Sequence, residues 1–167
     1  MEDGRNRVMI EGVEPEIDCG RFPVKRAVGG TVRVEADVFA DGHDRVSAVL
    51  LYRRAGGSEW REVPMAALVN DRWHASFRVE ELGRYEYSVV AWIDRFGTWQ
   101  HDLRKRLEAG QEVGLDLAIG AAQIEAAAER CVGEPREVLR GYSASLREAR
   151  DPRTAALLAL SPELAAL

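Results

Sequence analysis

Residues 84–106 read RYEYSVVAWIDRFGTWQHDLRKR, and within them a period of two gives way to a period near four. In the first half Tyr85, Tyr87, Val89, Ala91 and Ile93 share one face of an extended strand, because successive side chains point to opposite faces. Val90 and Trp92 take the other face, so the strand is apolar on both sides near its end. Such a strand is central in its sheet, or has its second face covered by another module. In the second half Leu103 and Leu107 are four apart, as a helix requires, and the change of period is placed at about His101.

Upstream of this seam the chain is a series of short strands with turn chemistry between them. Thr31–Phe39 is the cleanest, with Val32, Val34, Ala36 and Val38 on one face and Arg33, Glu35 and Asp37 on the other. Arg7–Ile10 precedes it and is ended by Gly12 and Pro15. Val46–Arg53 and Glu59–Pro64 flank a Gly56-Gly57-Ser58 loop and read as a hairpin. After an Asn70-Asp71 turn, Arg72–Val79 alternates again, with Trp73, Ala75, Phe77 and Val79 facing a core. Regular spacing of about seven strands predicts an immunoglobulin-like β-sandwich.

Downstream the predicted elements are helical. Gly110 offers a stop, and Val113, Leu117, Ala121 and Ile124 recur at helical spacing. Glu134–Arg150 predicts an amphipathic helix with Val138, Leu139, Tyr142 and Leu146 on its apolar stripe. Asp151-Pro152 and Ser161-Pro162 each place a capping residue before a proline in the first turn, which announces two further helices. The second has only Pro162–Leu167 to occupy, so a fragment of a longer chain is expected. The fold class is thus α+β: a sandwich over residues 1–105 and a small helical module, truncated, over 106–167.

Composition narrows the function classes. At 167 residues the chain has length for one core plus a small appended module, and a formal charge of −5 argues against general nucleic-acid binding. Cys19 and Cys131 are far apart and no charged leader precedes an apolar run, so free thiols and a cytoplasmic location are expected. No apolar run approaches a membrane span. His43, His74 and His101 show no ligand spacing, and neither GxSxG nor GxxxxGK[ST] occurs. Gly29-Gly30 and the Asp41/Asp44 pair read as turns. No catalytic, cofactor or metal residue is assigned.

Four tryptophans remain, Trp60, Trp73, Trp92 and Trp99. Trp73 lies on an alternating apolar face and reads as core. Trp92 lies on the less expected face of its strand, and Trp99 is placed in the loop that follows. Together with Phe96 they are candidate contacts with another domain or subunit, and in second place with a sugar, since indole faces stack on pyranose rings.

Several long phrases carry a resemblance. Residues 7–53 (RVMIEGVEPEIDCGRFPVKRAVGGTVRVEADVFADGHDRVSAVLLYR), EWREVPM at 59–65, residues 70–111 and the terminal LSPELAAL resemble the N-terminal region of the bacterial α-1,4-glucan:maltose-1-phosphate maltosyltransferases. These enzymes belong to the retaining α-amylase superfamily. The densest matches are GRFPVKR, VEADVFADGHD and GRYEY-x₄-AW-x-DRF-x-TW, and the likeness weakens over Gly120–Ala156. The resemblance implies a full enzyme that moves a maltosyl unit from α-maltose 1-phosphate to the end of an α-1,4-glucan and releases phosphate. It does so by double displacement at two carboxylates. Those carboxylates sit in a downstream (β/α)₈ barrel, for which this chain has no room, so by itself it is expected to be inactive. For these residues the resemblance implies a non-catalytic sandwich and the start of an inserted helical module, packed against the barrel and at a homodimer interface. No cofactor is implied. A carbohydrate-binding module that docks α-glucan, and a stand-alone protein-interaction sandwich, are the alternatives.

Overall fold

A computed structural model describes residues 7–167. Its architecture is mixed α+β, with two antiparallel sheets and then helices, and it divides into two compact units between Asp94 and Arg95. Residue 105, where the sequence reading put the limit, lies inside the first helix.

In the strand unit β1 (Val8–Glu14), β2 (Thr31–Ala40), β3 (Val46–Arg54), β4 (Arg61–Pro64), β5 (Ala66–Ala67), β6 (Arg72–Arg78) and β7 (Tyr85–Ile93) form sheets of order β1-β2-β6-β5 and β4-β3-β7. Strand alternation decides the core. Val32, Val34, Ala36 and Val38 of β2, Ala48 and Leu50 of β3, and Ala75 and Phe77 of β6 are buried in one cluster, against which Tyr85, Tyr87, Val89 and Ala91 of β7 pack. Phe77 stacks on Tyr52 with ring centroids 4.4 Å apart, joining the two sheets. Asn70 and Asp71 both hold positive φ, 55° and 59°, as a two-residue hairpin turn requires, and lead from β5 into β6.

The first strand runs further than the sequence suggested. It continues past Gly12 because the pairing with β2 slips between Glu11 and Glu14, and Gly12 absorbs the bulge at φ +55°. The Gly12 carbonyl accepts from Arg72 Nη1 at 2.9 Å. Arg72 also pairs with Glu14 at 3.0 Å, Glu35 at 3.2 Å and Asp37 at 3.3 Å, so one guanidinium ties β1, β2 and β6 together on the outer face of their sheet. Hydrogen bonding from Arg72, with Arg33 adding to it at 2.7 Å, holds the Glu35 carboxyl below its ordinary range against a smaller opposing effect of burial.

The helical unit contains α1 (Arg95–Glu108), α2 (Gly114–Arg130), α3 (Glu134–Glu148), α4 (Pro152–Ala159) and α5 (Pro162–Ala165). Helix α1 begins at Arg95, not near His101. Phe96, Trp99, Leu103 and Leu107 make one stripe at spacings of three and four, and all of them join the helical core. Gly97 and Thr98, poor helix formers, hide the first turn from a reading by propensity. Trp99 is 6% exposed, and its indole N–H donates to the Asp116 carbonyl at 2.7 Å. One turn on in α2, Gly120 leaves the space the ring fills: a Cβ there would lie 1.8 Å from Trp99 Cζ2. Arg106, two turns further along α1, pairs with the carboxylate of Asp116.

Helix α2 buries Leu117, Ala121, Ile124 and Ala128 against a stripe of α3 formed by Leu139, Ser143 and Leu146. Ser143 is fully buried and donates to the Ala121 carbonyl at 2.9 Å, whereas Val138, expected on the stripe, is 38% exposed. The expected stripe holds at Leu139, Leu146 and the partly buried Tyr142, and Ser143 stands in the core where Val138 was expected. Both predicted caps form: Asp151 accepts from the Arg153 and Thr154 amides, and Ser161 accepts from the Leu164 amide. Gln100 donates to the Ala159 carbonyl at 2.9 Å and joins α1 to α4.

Three outcomes test this packing. Phe77→Ala lowers the stability of the strand unit by about 3–5 kcal/mol in denaturant titration, as for other buried aromatics. Gly120→Ala lowers the melting temperature of the helical unit, followed by circular dichroism at 222 nm, although alanine is favoured over glycine in a helix interior by ~1 kcal/mol. A melting temperature equal to or above that of the parent would contradict the Trp99 contact. Because the folded value of Glu35 is depressed, its contribution is present above the ordinary glutamate value of ~4.3 and is lost as pH falls below it toward the folded value. Arg72→Met therefore flattens the acid limb of stability against pH, and an unchanged limb would show that the network is inert.

Candidate interface

The register of β3 and β7 creates two surfaces from one ladder. Nine residue pairs run from Val46↔Ile93 to Arg54↔Tyr85. Alternate pairs, Ala48↔Ala91, Leu50↔Val89 and Tyr52↔Tyr87, point into the strand-unit core. The intervening pairs, Ser47↔Trp92, Val49↔Val90, Leu51↔Ser88 and Arg53↔Glu86, form the outer face. Directly opposed residues of one face sit within side-chain contact distance, so Val49 and Val90 make a cross-strand apolar pair. Val90 is 43% exposed and Trp92 44%. Ser47 opposite Trp92 is held by a 2.9 Å hydrogen bond to Asp94, which fixes the end of the ladder beside the indole.

This face differs from the outer face of the four-stranded sheet. There the Arg33, Glu35, Asp37, Arg72 and Glu14 network covers the strands with paired charge, apart from an exposed Met9↔Phe39 pair at one end. The β3–β7 face carries its ion pair, Arg53–Glu86 at 2.9 Å, only at the end away from Trp92. Contiguous apolar area beside a polar border is the anatomy of an interaction surface.

The other two candidates belong to the helical unit. Phe96 and Trp99 pack on each other in α1 with ring centroids 5.2 Å apart. Trp99 was expected in a loop and is instead enclosed by its own helical core, while Phe96 is half-buried against that core. Of the trio, Trp92 is the one with substantial exposed surface.

Acid–base chemistry needs a group whose pKa lies near the working pH. The shifts here move groups away from neutrality. Glu35 is lowered by Arg72, and Tyr87 is raised, first by burial and then by Glu16. The Tyr87 hydroxyl donates to the Pro15 carbonyl and serves to pin the segment that follows β1. Among the described residues no three His, Cys, Asp or Glu side chains are grouped to hold a metal ion, and Cys19 and Cys131 are unpaired thiols. No described helix is long and apolar enough to cross a membrane.

Comparison with known proteins gives one family. The match, described as "Alpha-1,4-glucan:maltose-1-phosphate maltosyltransferase, domain N/S", spans residues 6–167. A protein of the same enzyme name from Chlorobaculum tepidum is 53% identical over 140 residues, covering 84% of this chain and 21% of its own length. One from Myxococcus xanthus is 43% identical over 173 residues, covering 99% of this chain and 26% of its own. One from Methylacidiphilum infernorum is 46% identical over 123 residues, covering 74% and 18%. The chain thus spans about a fifth to a quarter of the length of these relatives.

Proposed function

This chain belongs to the domain N/S family of the alpha-1,4-glucan:maltose-1-phosphate maltosyltransferases, and from that premise we propose that it is the non-catalytic N-terminal part of such an enzyme. The whole enzyme would transfer a maltosyl unit from α-maltose 1-phosphate to the end of an α-1,4-glucan. The carboxylates that do this would belong to a catalytic barrel outside these residues. The proposed roles of the present residues are packing against that barrel and homodimerisation, in the cytoplasm. The strand unit is proposed to be an immunoglobulin-like sandwich domain and the helical unit a second domain, with the limit at residue 94 where the strand order ends.

The observation that carries this reading is the Val49–Val90–Trp92 face. A sheet in water is stable with one apolar face. A second one, ending in a tryptophan that is 44% exposed, is accounted for by a partner surface that covers it. The small share of the relatives' length supports the catalytic part being elsewhere.

Trp92→Ala in the full-length enzyme is expected to weaken the dimer by about 2 kcal/mol or more in sedimentation equilibrium, as at other interface aromatics. The denaturation midpoint of the 167-residue chain should change little. Equal loss in both measurements would make Trp92 an ordinary packing residue. The purified chain should release no phosphate from α-maltose 1-phosphate when glucan acceptor is supplied, and acceptor-dependent release would overturn the non-catalytic assignment.

A further inference from the structure

We draw no further inference here: the strongest candidate, the cleft of about 760 Å³ between the β1–β2 link and the start of β7, lined by Phe22, Val24, Phe77 and Tyr87, is an apolar opening beside the last strand of its sheet, and nothing in the structure shows what covers it.

Discussion

Nine consecutive residue pairs between β3 and β7 hold the strand unit in its arrangement. Because side chains alternate along a strand, one register assigns every residue of both strands to an inner or an outer face, and a slip by one position would exchange the two sets. In the observed register Leu50, Val89 and Ala91 meet Phe77 and the β2 valines inside. The same register necessarily sets Val49, Val90 and Trp92 outside. An apolar outer face is thus the direct consequence of a sequence that is apolar at successive positions from Val89 to Ile93, where a strand with one wet face would alternate.

The helical unit rests on a different kind of constraint, one of close approach. The Trp99 ring lies where a side chain at position 120 would be, so the approach of α1 to α2 depends on an atom being absent. The indole N–H is satisfied by the Asp116 carbonyl, in the first turn of α2, whose backbone oxygen lies on the path to Gly120. Burying a tryptophan without such a partner would forfeit much of the benefit of burying its area. The Arg106–Asp116 pair adds a second tie between the same two helices. Small residues recur where α2 meets α3, with Ala121, Ala128 and Ser143 all buried, so close helix approach is the common device of this unit.

Much of this was legible from pattern alone. The alternation of Thr31–Phe39 and Arg72–Val79, the hairpin of β3 and β4, and the two caps at Asp151 and Ser161 all have short-range causes that a sequence displays directly. The misreadings share a physical reason: each depended on a neighbour distant in the chain. Trp99 looked like a loop residue because Gly97 and Thr98 precede it, and only the missing side chain at Gly120 makes that turn of helix profitable. Val138 reads as part of the α3 stripe, whereas the buried position is Ser143, whose partner is the Ala121 carbonyl on another helix. β1 appeared to stop at Gly12, whereas the glycine is the bulge that lets pairing with β2 resume at Glu14. Of the candidate trio, Trp92 was placed by alternation with its face exposed, while Phe96 and Trp99 are held in the helical core.

Trp60 shows where sequence reading had no purchase. The sequence reading puts it inside the second strand of a hairpin, whereas it stands just before β4, after a glycine-rich loop. What marks it is the convergence of Arg53 from β3 with Glu86 from β7, two residues opposed in the ladder and remote in the chain. The same outer face therefore begins in apolar contact at Ser47↔Trp92 and ends in paired charge at Arg53↔Glu86. Desolvating paired ions against a dry protein surface costs several kcal/mol per ion, whereas covering valine and tryptophan is favourable. A surface graded in this way can be covered at its apolar end at little cost, while its charged end favours water.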